Sequence, residues 1–264
     1  MLLENKVAVV YGAGGWVGGA VARSFAREGA TVFLTGRTLG PLEAAARDIE
    51  SAGGTAEAAT VDALDAGAVD AHADAVAERA GGIDVSFNAI GRDDVHGVPL
   101  IDMPYEVFVR PVEVALRAQF LTARAAARHM LQQGSGVIMT ITATTARHTI
   151  PEVGGTGVAF DATESLCRQW AAELGPRGVR VVWLQTTGLP EAISTTLERF
   201  PAYGTESPQG MTRDELIEWL RRRTMLNRLT SLEEVGNAAA FLASDRASAI
   251  TGTGANLTLG AVPG

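Results

Sequence analysis

Lysine is almost missing from this chain: Lys6 is the only one in 264 residues. Any site that depends on a side-chain ammonium away from position 6 is therefore excluded. Cysteine is nearly as scarce. Cys167 stands alone, so no internal disulfide can form, and its neighbours Leu166 and Trp170 on an amphipathic stretch mark it as a small buried hydrophobe rather than a reactive thiol. A lone thiol suits a cytoplasmic protein. There are three tyrosines, Tyr11, Tyr105 and Tyr203, and none has a lysine four residues later. No apolar run reaches membrane-spanning length, so no membrane partner is expected. No basic block interrupts an acidic chain of net charge −8, which excludes nucleic acid as a natural partner. No metal-ligand set is assigned.

What is present is alternation. Val7-Ala8-Val9-Val10 reads as a buried parallel strand, the glycines at 12, 14, 15, 18 and 19 as a turn, and about Val17 to Glu28 as a helix. Read as an export signal, the uncharged stretch after Lys6 would need a stable apolar helix, which those glycines oppose. Glycine fits a turn of this kind because a residue without Cβ lets the backbone approach a pyrophosphate, whose charge then rests on the helix N-terminus.

Further strand-like runs lie at Val32 to Leu34, Ala56 to Val61, Ile83 to Asn88, Val137 to Thr142, Val179 to Leu184 and Asn256 to Leu259. Helical spacing fills the stretches between: Pro41 to Ala52, Ala66 to Ala80, Tyr105 to Gln132, Gly157 to Leu174 and Leu232 to Ser244. The pattern predicts an α/β fold, a Rossmann-like doubly wound seven-stranded parallel sheet with helices on both faces, as one domain over 1–264 with its ligand at the carboxyl ends of the strands. Pro190 to Arg223, with three prolines and an amphipathic Asp214 to Arg223, is too long for an ordinary connection. It reads as a substrate lid, an oligomer contact or a solvated excursion, with Arg221-Arg222-Arg223 at a solvent-facing helix end.

Several local strings resemble the short-chain dehydrogenase/reductase family over nearly the whole chain. Tyr11-Gly12-Ala13-Gly14-Gly15-Trp16-Val17-Gly18 is similar to its glycine turn, with Trp16 where compact members have a glycine, and glycines 12, 15 and 18 in the spacing of extended members. Val61-Asp62 resembles the adenine-contacting pair, and Phe87-Asn88-Ala89-Ile90-Gly91 the asparagine-alanine-glycine string. Ala171 to Val181, Phe241 to Asp245 and Ile250-Thr251-Gly252 match later signatures. The resemblance implies cofactor contacts at Gly12, Gly15, Trp16, Val17, Gly18, Arg37, Asp62 and Asn88. Arg37 stands where an acidic residue would select NAD, and its charged fork suits a 2′-phosphate, so NADP is expected. The plain alternatives are a solvated Arg37 and a structural Asn88.

The family's proton-handling residues are another matter. The resemblance places the tyrosine position at Thr156, the lysine at Phe160, the serine at Ala143 and the asparagine at Ala115. None of these side chains can do the family's work: a threonine hydroxyl has no pKa near neutrality, and phenylalanine carries no charge to tune one. Thr186-Thr187 replaces a proline-glycine pair. The related halohydrin dehalogenases do not fit either. Candidates for a rebuilt donor are His148, Thr144 and Thr156, with Thr142, Arg147, Asp93, Asp94, His96, Glu152 and Asp161 near the same cleft. His148 leads, because it titrates near neutrality on the loop expected to shape the pocket. Three readings stay open: an NADP-dependent oxidoreductase of a small carbonyl or alcohol with a non-standard donor, a silent nucleotide or small-molecule binder, and a non-redox enzyme in the altered pocket. The resemblance also implies a homodimer or homotetramer assembled through the two long helices, where small residues, Ala123 and Ala125 to Ala127 among them, allow close approach.

Overall fold

Successive side chains of β1 (Val7–Tyr11) enter opposite cores. Ala8 and Val10 pack into one, and Val7, Val9 and Tyr11 into the other, as the two-residue period of a strand requires. A strand buried on both faces belongs in the middle of a parallel sheet. In the computed structural model, which describes residues 1–148, 150–193 and 212–263, β1 pairs in parallel with β2 (Thr31–Gly36) and β4 (Val85–Asn88). The sheet continues outward through β3 (Thr55–Thr60) on one side and β5 (Gly136–Ala143), β6 (Val179–Thr186) and β7 (Thr253–Leu257) on the other. Its order is β3-β2-β1-β4-β5-β6-β7, all parallel. The expected Rossmann-like architecture is therefore observed.

Helices α1 (Trp16–Arg27), α2 (Leu39–Ser51) and α7 (Leu232–Ala243) cover one face. The other carries α3 (Ala66–Ala80), α4 (Tyr105–Gln133) and α5 (Thr156–Leu174). Phe25 of α1 meets Phe87 of β4 edge-on at 6.3 Å between ring centres, a favoured aromatic geometry. Polar ends are satisfied locally. Asp65 accepts the backbone N–H groups of Gly67 and Ala68 ahead of α3, and Ser231 and Glu234 form a reciprocal capping box on α7.

Most boundaries fall within two residues of the sequence reading. The last strand is the exception: it starts at Thr253 rather than Asn256. Gly254 permits the extension, because any Cβ there would run into the Trp183 indole of β6. Of the 190–223 segment, the stretch 194–211 lies outside the described residues. Its end forms α6 (Arg213–Arg221), opened by a capping box between Thr212 and Glu215. At the amino-terminal edge of the sheet, Lys6 Nζ sits 3.6 Å from Asp84 and 3.8 Å from Asp245, and the other Asp84 oxygen accepts the Val7 N–H at 2.8 Å. No described helix is long and apolar enough to cross a membrane.

Candidate functional site

The carboxyl ends of β1 and β2 open into a cleft of about 280 Å³ whose lining includes Gly12, Gly15, Arg37, Asp62 and Ala89. Gly12 has φ +80°, and a Cβ there would stand 2.6 Å from the Ala89 carbonyl oxygen. A Cβ on Gly18 would collide with the Gly12 carbonyl. The turn can thus close onto α1 only because both side chains are absent. The Gly15 N–H donates to the Gly12 oxygen at 3.0 Å. Helix α1 starts with no side-chain cap and no acid in its first turn, the arrangement that favours an anion at its N-terminus.

Arg37 is exposed at the rim beside Thr38, the residue that precedes α2. The Asp62 carboxylate is held in place by the Leu64 N–H at 2.9 Å. Trp16 is the first residue of α1 and 51% exposed; it does not line the cleft, so the indole leaves the cradle open. Val17 packs against the core beneath. Asn88 is buried behind the turn. Its Nδ2 donates to the Thr122 hydroxyl at 3.1 Å, and its Oδ1 accepts the Ile90 N–H at 2.9 Å, fixing the end of β4. These residues fit a dinucleotide's adenylate and phosphate portion: a glycine cradle any Cβ would fill, an exposed guanidinium, and an oriented carboxylate.

Where the sheet passes from β4 to β5, the lining changes. Thr156 opens α5 almost fully buried, and its Oγ1 lies 2.8 Å from His96 Nε2. One turn on, the Phe160 ring lies under the guanidinium of Arg92, 3.9 Å from ring centre to Arg92 Cζ. Arg92 also pairs with Asp94 at 3.3 Å, and both side chains are mostly buried. Arg92, Phe160, Asn88 and Gln119 border a cavity of about 20 Å³, room for about one water.

Sequence reasoning favoured His148, yet its side chain is exposed, and its backbone N–H closes on the Thr144 oxygen at 2.7 Å. Thr144 begins a short 3₁₀ turn, Thr144–Ala146, after β5. The imidazole brought to Thr156 is His96. A topological signal for this exists in the sequence: β4 and β5 are neighbours, so the loops that follow them meet above the sheet.

Behind this site Glu164 is 1% exposed. It accepts the Thr142 hydroxyl at 3.0 Å and pairs with Arg147 at 3.1 Å. Cys167, one turn further along α5, has its thiol pushed up to about 12, first by burial and then by the Glu164 charge. No group of three or more His, Cys, Asp or Glu capable of holding a metal occurs among the described residues.

The chain is similar to known proteins over nearly its whole length. A family model described as enoyl-(acyl carrier protein) reductase matches residues 12–260. The chain is 32% identical over 262 residues to an L-rhamnose 1-dehydrogenase (NAD(P)(+)) of Azotobacter vinelandii, covering 96% of this chain and 94% of that protein. It is also 32% identical over 250 residues to the oxidoreductase YxbG of Bacillus subtilis, covering 95% and 88%. The crystal structure of a dehydrogenase/reductase from Sinorhizobium meliloti superposes with a TM-score of 0.82 at 28% identity, over 99% of this chain and 96% of that one.

Proposed function

The chain belongs to the short-chain dehydrogenase/reductase family, and on that premise we propose that it is an NADP(H)-dependent oxidoreductase of a small carbonyl or alcohol, with a non-standard proton donor. The observation that carries this reading is the cradle: Gly12 and Gly18 packed too closely for any side chain, with exposed Arg37 at the rim of the same cleft. Gly12, Gly15 and the start of α1 would hold the phosphates, Asp62 the adenine end, and Arg37 a 2′-phosphate by paired N–H donors. A bound reduced nicotinamide supplies a hydride to a carbonyl carbon. What the chain must add is orientation, exclusion of water and a proton for the developing alkoxide. Ala115, Ala143 and Phe160 leave that proton to Thr156, Thr144 or His148, together with whatever each of them contacts.

The proposed working form is a homodimer or homotetramer built on α4 and α5. Phe120 is 43% exposed on α4 and leans on Trp170 of α5 at 5.5 Å, an apolar face that a second copy would cover. The single buried thiol, Cys167, supports a reducing, cytoplasmic location.

A second reading, nucleotide binding without turnover, draws on one observation: Arg92 lies across Phe160 and leaves only about 20 Å³ beside it. One titration addresses the redox reading. NADPH should quench tryptophan fluorescence and raise the melting temperature more than NADH does, and Arg37→Glu should abolish that preference. Absence of binding by either nucleotide would remove the reading. Binding with no oxidation of NADPH across a panel of ketones and aldehydes would favour the silent binder.

A further inference from the structure

Three features of the β4–α4 and β5–α5 loops converge at the start of α5. The His96 imidazole is within hydrogen-bond distance of the Thr156 hydroxyl, 2.8 Å from Nε2 to Oγ1. The Arg92 guanidinium lies on the Phe160 ring, 3.9 Å from its centre. The Asp94 carboxylate, 10% exposed, pairs with Arg92 at 3.3 Å. A buried hydroxyl joined to a titratable imidazole, one helical turn from the ring that carries a fixed cation, is an arrangement that can deliver a proton to a developing alkoxide. Neither His96 nor Arg92 lies on α5; the segment after β4 carries both.

We infer that His96 and Thr156 form the proton-donating pair of this site, with Arg92 as the positioning cation, for the reduction of a small carbonyl. The inference rests on the redox reading above. When hydride reaches the carbonyl carbon, its π pair moves to oxygen. The Thr156 hydroxyl gives its proton to that oxygen, and the proton on His96 Nε2 replaces it. The neutral imidazole then recovers a proton from water. Carbonyl is reduced to alcohol, reduced nicotinamide is oxidised, and one solvent proton is consumed. Thr156 alone cannot serve, because an alkyl hydroxyl has no accessible acidity near neutrality; the imidazole lets it act as a relay. Arg92 takes the part of a charge that Phe160 cannot carry, and the aromatic face supports it by cation–π attraction. The charged groups on the segments around the imidazole are Arg92, Asp93 and Asp94 of its own loop, Glu152 of the loop before α5, whose carbonyl accepts the Gly97 N–H, and Arg110 of α4, paired with Asp93.

The test uses the full-length protein and two readouts. With carbon-13-labelled histidine, only four imidazoles contribute signals. Thr156→Val should move the His96 signal and its titration and leave those of His72, His129 and His148 in place. NADPH oxidation is then followed with 2,3-butanedione, benzaldehyde and dihydroxyacetone as probes. The wild-type rate should fall about tenfold per pH unit above the imidazole pKa, because the protonated form is the donor. His96→Asn and Thr156→Val should each lower the rate about 100-fold at pH 6 and flatten that fall, and Thr156→Ser should recover most of it. An unmoved His96 titration in Thr156→Val, or an unchanged pH profile in His96→Asn with turnover intact, would overturn the pair alone. Failure to bind NADPH, or binding with no turnover of any probe, would overturn the redox reading and the pair with it.

Discussion

Glu164 accepts the Thr142 hydroxyl at 3.0 Å where α5 crosses β5, with its carboxylate 1% exposed. Gln185 of β6 reaches the same oxygen at 3.5 Å, and Arg147 and Arg168 approach the other at 3.1 and 3.9 Å. One buried side chain therefore ties two strands and a loop to the helix that carries Thr156. Replacing Glu164 by Ala strands two buried donors at roughly 1–3 kcal/mol each. A loss of about 2–4 kcal/mol is expected in urea unfolding. Glu164→Gln retains an acceptor for Thr142 and should lose less.

Gly12→Ala asks a Cβ to occupy a left-handed backbone position 2.6 Å from the Ala89 oxygen. The turn must open to admit it. The melting-temperature rise with NADPH should vanish, and stability without nucleotide should drop by about 1–2 kcal/mol. A normal NADPH response in this variant would show that the glycine turn does not hold phosphate.

The capping box of α7 predicts a pH-dependent effect. Glu234 is held at a pKa of about 2, chiefly by the Arg228 guanidinium and then by the Ser231 N–H. Its ordinary value is about 4.3. A depressed carboxylate contributes stability that is present above the unfolded value and lost as pH falls through the folded one. Glu234→Gln should thus destabilise at pH 7 and make little difference near pH 2. The side chain is 40% exposed, so solvent screening keeps the effect small. Ser231→Ala should cost about 1 kcal/mol through the lost cap. Thermal melts at both pH values measure each.

Cys167 should be silent toward thiol reagents in the folded protein. Burial and the Glu164 charge raise it to about 12, so almost no thiolate exists at pH 8. One equivalent of thiol should appear with a chromogenic disulfide only after denaturant is added. Stoichiometric labelling of the native protein would contradict the packing of α5 against β5 and β6.

The sheet was legible because burial on both faces leaves a direct mark: runs such as Val7 to Val10 and Val179 to Leu184 have no other economical reading. The glycine cradle was legible for a similar reason, since spacing along one turn is preserved in space. The second half of the site was not. His96 and Thr156 are 60 residues apart, and no periodicity links a loop histidine to the first residue of a distant helix; their meeting depends on β4 lying beside β5 and on how each following loop folds back. His148 was favoured as an imidazole on the loop expected to shape the pocket, and the structure leaves its side chain exposed beyond the 3₁₀ turn at Thr144. The start of β7 was not legible either, since glycine is a poor strand former and Gly254 makes room for the Trp183 indole only once β6 lies beside it.

Lys6 braces the amino-terminal edge of the sheet between Asp84 and Asp245, at the end opposite the cleft. Since it is the only lysine of the 264 residues, a reagent that couples to lysine side chains has one destination here. Protein fixed to a sensor chip or bead through that side chain will therefore stand in one orientation, with its glycine turn facing the liquid.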